Sequence, residues 1–130
     1  AHEMDTVVLG ADTTVVVDGE IFGKAEDPGE AERMVRQLSG RSHLVFTGVS
    51  VRLGQKELSG VEETRVVVRP LTNRDVDWYV QSGEWRDRAG AYAIQGLFAR
   101  FVPRIEGSYS SVVGLPVALA ADLVAQLLEQ

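Results

Sequence analysis

The sequence predicts an α/β domain, and three observations carry that prediction. Apolar runs of strand length interleave with amphipathic helical stretches, with no linker, repeat or low-complexity tract between them. The chain has 130 residues, 45% of them hydrophobic, which suffices for one core and one domain over residues 1–130. Asp18-Gly19, set between two apolar limbs, is the strongest short hairpin signal.

The chain is organised around Val7 to Lys24. An apolar run is expected to end at a lone carboxylate, Asp12, followed by Thr13 and Thr14; a second run reaches Asp18-Gly19 and returns to Gly23-Lys24. Asp12 and Lys24 are therefore expected at one sheet margin. The opening Ala1-His2-Glu3-Met4 carries neither cap nor periodicity, and no function is assigned to it.

Asp27-Pro28-Gly29-Glu30 reads as a helix start, with Asp27 as N-cap, Pro28 in the first turn and Glu30 reaching back as in a capping box. Ala31, Met34, Val35 and Leu38 then fall on one stripe, and Gly40 stops the helix. Leu44 to Leu53 and Val61 to Arg69 read as an antiparallel pair turned at Gly54-Gln55-Lys56, with Gly48 marking a bulge or a close backbone approach. Thr72 with Asp75 opens a short helix that Gly83 closes. Leu97 to Ile105 resumes a strand pattern, and Pro116 starts a final helix. Its apolar residues cover much of the circumference, so it is expected to be buried on more than one side or to form a homodimer.

Composition narrows the function classes. A net charge of -6 opposes a nucleic-acid footprint, which needs a concentrated basic face. A small anionic ligand needs only local positive groups, and eleven of the thirteen basic residues are arginine, which suits bidentate phosphate contacts. Without cysteine there are no disulfides or thiolate metal sites, a composition compatible with the cytoplasm. No run is long enough to span a membrane, so no membrane partner is expected.

Several chemical patterns fail on their spacing. Gly19 to Gly23-Lys24-Ala25 is one residue short of a P-loop and places alanine where the metal-holding hydroxyl belongs. No strand-to-helix G-x-G-x-x-G is present. Asp12 as an aspartyl-phosphate nucleophile would want a second carboxylate at position 14, which is threonine; its other reading is a turn or capping carboxylate. His43 lacks a second imidazole at ligand spacing and reads as structural. Ser108 to Ser111 reads as caps and turns. Tyr79 reads as core, and Trp85 in the polar loop is kept as a ligand contact. Gln95 offers both a donor and an acceptor, as a uracil or thymine edge requires; a surface glutamine is the alternative.

Blocks in a fixed order then meet in one pattern: Gly10-Ala11-Asp12-Thr13, Asp18-Gly19 with Gly23-Lys24, Leu38-Ser39-Gly40 with His43 and Thr47-Gly48-Val49, Gly83-Glu84 with Arg88-Ala89-Gly90-Ala91-Tyr92, Ile94-Gln95-Gly96, and Gly107-Ser108-Tyr109 with Val112 to Pro116. This pattern resembles the Maf family of nucleoside triphosphate pyrophosphatases. The resemblance implies a mixed, long central sheet with flanking helices, related to inosine triphosphate pyrophosphatases, and a cleft between two lobes. It also implies hydrolysis of dTTP- or UTP-like nucleotides to the monophosphate and pyrophosphate with a divalent cation, Mg²⁺ or Mn²⁺.

By the same resemblance Asp12 matches the catalytic carboxylate, Lys24 the phosphate-facing lysine, and Thr13 and Gln95 the positions that sort substrates; chemically, Asp12 can orient and deprotonate the attacking water or hold the metal. Arg86 and Arg88 add positive charge by analogy with other phosphoryl-group enzymes. Ala25 and Trp85 stand where the family has proline, and Arg88 where it has lysine. The chain begins downstream of the family's phosphate-cradling segment, so it is expected to be N-terminally shortened and weak or inactive alone. A non-catalytic nucleotide-binding or cell-division regulatory module is the alternative function.

Overall fold

A computed structural model describes residues 6–129. Five strands form one sheet in the order β2-β1-β3-β4-β5: β1 Val7–Val17, β2 Glu20–Phe22, β3 Ser42–Leu53, β4 Lys56–Val67 and β5 Arg104–Glu106. Four helices accompany them: α1 Pro28–Leu38, α2 Asn73–Ser82, α3 Tyr109–Val113 and α4 Val117–Glu129. The long sheet with flanking helices is present. Where the resemblance implies a mixed sheet, every pairing among the described strands is antiparallel. Tight turns reverse the chain after β1 and β3, and α1 carries it across so that β3 lies on the other side of β1 from β2.

Local chemistry sets the elements. Asp18 and Gly19 both take positive φ, 49° and 77°, as a two-residue hairpin turn matched to strand twist requires. The Asp27 carboxylate accepts from the Glu30 amide at 2.8 Å and Pro28 opens α1, whose buried residues are the expected Ala31, Met34, Val35 and Leu38. Thr72 and Asp75 form a reciprocal capping box on α2, and Gly83 ends that helix at φ 75°.

Residues directly opposed in an antiparallel ladder point to the same face. Val15, Val17, Val45 and Val66 thus join α1, α2 and the following loop in a first core, which includes the fully buried Tyr79, Phe98 and Phe101. Further along the same face, Val49 and Val51 pack under Ala120, Leu123 and Leu127 of α4 in a second core. Two lobes therefore hang from one face of one sheet. On the opposite face Val8, Ile21 and Val61 are exposed.

Four expectations are corrected. β1 does not end at Asp12 but runs through it, because pairing with β3 continues from Val7↔Leu53 to Val16↔Leu44. Gly48 makes no bulge; it sits in unbroken register opposite Asp12, with open space where a Cβ would stand. Leu97 to Ile105 is not one strand: Leu97–Phe101 is a 3₁₀ helix, and its three-residue repeat buries Phe98 and Phe101 together before β5 begins. Helix α4 buries one stripe only and leaves Val117 and Leu128 more than half exposed.

Candidate functional site

Two recesses flank the middle of β1 and a third lies beyond β2, each holding part of the expected residue set. On the open sheet face, a shallow recess of about 590 Å³ is lined by Asp12 with Gly10, Gly48, Ser50, Ser59 and Val61. On the helix-covered face, a recess of about 160 Å³ brings together Thr13, Asp87, Arg88, Tyr92, Gln95 and Val112. A third, of about 410 Å³, is lined by Lys24, Glu26, Asp27, Trp85, Arg86 and Asp87.

The structure thus gathers Thr13, Arg88 and Gln95 into one recess. Asp12 and Lys24 lie in separate ones, and no ion pair joins them among the described residues. The reason is strand geometry: successive residues of β1 project to opposite faces, so Asp12 and its neighbour Thr13 diverge. Lys24 follows β2 at the sheet margin and pairs its backbone with Ala89 in an isolated bridge.

That bridge ties the β1–β2 return to the loop between α2 and the 3₁₀ helix. The Gly90 amide also donates to the Gly23 carbonyl at 3.1 Å. Gly90 has φ +71°, and a Cβ there would stand 2.9 Å from a methyl of Val15, so only glycine lets the loop approach β1 this closely. Ala91 is left-handed too, at φ 70°, a conformation that costs a non-glycine residue about 1–2 kcal/mol. Its carbonyl accepts from the Tyr79 hydroxyl at 2.8 Å, deep in the first core.

Gln95 is held through its neighbours. The Leu97 amide donates to Glu84 Oε2 at 2.7 Å, and Gly96 packs so closely on that carboxylate that a Cβ would come within 2.7 Å of it. Glu84 therefore clamps the segment that presents Gln95. Beneath the same recess, buried His43 Nε2 and the Tyr92 hydroxyl share a 2.6 Å hydrogen bond. Burial lowers the His43 pKa to about 4 and pushes the Tyr92 phenol up, so both are neutral at pH 7. His43 is a structural residue, as its sequence context suggests. Trp85 is not a free ligand contact: it is buried, its indole N–H donates to the Val80 carbonyl at 2.9 Å, and Arg86 covers its ring.

Three further residues of the site escape sequence reasoning as individuals: Thr47, Glu84 and Tyr92. All stand in segments that pattern alone marks, Thr47-Gly48-Val49, Gly83-Glu84 and Gly90-Ala91-Tyr92, yet their partners come from distant parts of the chain.

The described residues contain no cluster of three acidic or imidazole groups that could cage a metal. Asp12 is a single exposed carboxylate beside glycines that leave open space. This donor set fits a hard divalent cation held by one carboxylate and otherwise by ligand and water oxygens, rather than an all-protein site.

Comparison with known proteins places this geometry in context. A family model described as Maf-like protein matches residues 1–127. The chain is 51% identical over 120 residues to a dTTP/UTP pyrophosphatase of Symbiobacterium thermophilum, covering 92% of this chain and 62% of that protein. It is 50% identical over 123 residues to a protein of the same name from Shewanella denitrificans, covering 95% and 62%. For one from Pyrococcus furiosus the identity is 45% over 117 residues, covering 90% and 62%. The chain spans about three-fifths of the length of these curated relatives.

Proposed function

The chain belongs to the Maf family, and on that premise we propose that its protein is a metal-dependent nucleoside triphosphate pyrophosphatase acting on dTTP and UTP. The observation that carries the reading is the recess that holds Thr13, Arg88 and Gln95 together one residue from Asp12. Its volume of about 160 Å³ falls well short of the roughly 300–1,000 Å³ that encloses a whole drug-sized ligand. It suits one ring of a nucleotide, with the phosphates lying outside.

In this proposal the base enters between Thr13 and Gln95 on the helix-covered face. The triphosphate crosses the stretch of β1 that β2 leaves uncovered, since β2 pairs only with Val15 to Val17. Asp12 orients a water at the α-phosphorus and accepts its proton as the new O–P bond forms and the bond to the α,β-bridging oxygen breaks. Lys24 and Arg88 meet the negative charge of the phosphates and of the departing pyrophosphate. A divalent cation on Asp12 supplies charge neutralisation on the phosphate oxygens when bound, with Mg²⁺ and Mn²⁺ as its candidates. The proposed site of action is the cytoplasmic nucleotide pool; no helix of the described residues is long and apolar enough to cross a membrane. Self-association through the exposed apolar residues of α4 belongs to the same proposal.

A second reading, a nucleotide-binding or cell-division regulatory module without turnover, is favoured by the separation of Asp12 from Lys24. One experiment separates the two. Pyrophosphate release from dTTP and UTP is measured with Mg²⁺ and with Mn²⁺, beside Asp12→Asn. The enzyme reading expects a loss of about 10²–10⁴-fold in the variant. Equal release removes Asp12 from the mechanism, and nucleotide binding without release favours the module.

A further inference from the structure

A hydroxyl has one proton to give, and in the middle of the sheet that count fixes a direction. Thr47 is fully buried, and its Oγ1 donates to the Ser111 carbonyl at 2.8 Å, an atom that can only accept. Thr13 and Thr47 are direct ladder partners with their Oγ1 atoms 3.0 Å apart. Because the Thr47 proton is already committed, the proton in the second bond must come from Thr13. Thr13 therefore turns its only hydroxyl proton inward, and toward the small recess that hydroxyl can only accept.

The polarity of the other lining groups is different. Arg88 only donates, and the Gln95 amide offers both a donor and an acceptor. A uracil or thymine edge reads acceptor, donor, acceptor, its donor being N3–H. Cytosine instead presents an N3 lone pair flanked by a carbonyl and an amine. Set against ring position 3, an acceptor fixed at Thr13 attracts the N3–H of the first and repels the N3 lone pair of the second.

We infer that Thr47 is a specificity-setting positioning residue: by spending its proton on Ser111 it holds Thr13 as a fixed acceptor, so that the recess selects pyrimidines bearing N3–H over cytosine. The inference rests on the proposed nucleotide function and adds to it the group that sets the polarity of the site. Ser111 belongs to α3, so the direction of the hydrogen bond at β1 is dictated from the element that leads into the α4 lobe.

The test compares UTP with CTP, by the ratio of their kcat/KM values and by the ratio of their Kd values in calorimetry. In Thr47→Val the proton of Thr13 is released and can turn to either base. The Ser111 carbonyl keeps a partner there, since it also accepts from the Gly114 amide at 3.1 Å. The UTP preference is expected to fall about 10- to 100-fold. Thr47→Ser, which restores the hydroxyl, is expected to recover it. Thr13→Val should lower the preference as well, and adding Thr47→Val to it should change the ratio no further. A purely structural Thr47 would weaken both nucleotides alike.

If the wild-type protein prefers UTP and Thr47→Val keeps that preference, the inference is overturned and the proposed function stands. Should Thr47→Val fail to fold, an unchanged ratio in Thr13→Val overturns it equally. A wild-type protein that neither binds nor cleaves either nucleotide overturns the function and this inference together.

Discussion

The imidazole of His43 and the phenol of Tyr92 meet at 2.6 Å beneath the small recess, ring edge against ring face, and His43 Nδ1 has no partner among the described residues. Charging that imidazole would place a cation in a buried site with no carboxylate against it.

Stability should therefore depend on pH in a defined window. The unfolded imidazole takes up a proton below its ordinary 6.5, whereas the folded one refuses it until about pH 4. The unfolded state then binds more protons, so stability falls as pH drops through that window, by up to about 3 kcal/mol, and is fully present above it. Urea melts between pH 7.5 and 4.5 check this, with His43→Leu expected to flatten the profile. An equally steep profile in the variant would assign the effect to other groups.

The Glu84 clamp predicts a binding defect rather than a chemical one. Glu84→Ala strips the Leu97 amide of its acceptor and loosens the segment carrying Gln95. KM for UTP should rise about tenfold, equivalent to roughly 1.4 kcal/mol, with a smaller change in kcat. Glu84→Gln keeps an acceptor oxygen and should recover most of the loss. Gln95→Ala, at an exposed position, should alter the choice among pyrimidine triphosphates while stability stays within about 0.5 kcal/mol.

Two glycines of the site should respond oppositely to the same methyl group. Gly90→Ala combines a left-handed backbone with a 2.9 Å approach to Val15, and should cost about 2–5 kcal/mol. Gly48→Ala meets nothing within 4 Å and should stay within about 1 kcal/mol of the parent. Thermal melts of both variants decide the matter.

What was legible in the sequence was local. The Asp18-Gly19 turn, the Asp27 and Thr72 caps and the α1 stripe each depend on residues a few positions apart, and each is found as read, save that the α1 cap shows only the Asp27 half of the expected capping box. Asp12 is harder to place: Gly10-Ala11-Asp12 has weak strand propensity and is held extended by Gly48, Val49 and Ser50 of β3, far along the chain. Once the strand is continuous, alternation alone divides Asp12 from Thr13. The 3₁₀ helix escapes sequence reading because Phe98 and Phe101 look like strand residues until the aromatic core around Tyr79 gathers them. Thr47 gave no signal of its own, since its effect runs through a carbonyl sixty-four residues away.

The two cores share β3 as a common spine, which limits how the molecule can deform. No flexible tether separates the lobes, so they cannot swing like jaws on a hinge. Any narrowing of the gap between them must come from twisting the ribbon itself, a stiff mode whose cost spreads over many backbone hydrogen bonds. In the proposed enzyme, ligand grip then comes from side chains already in position.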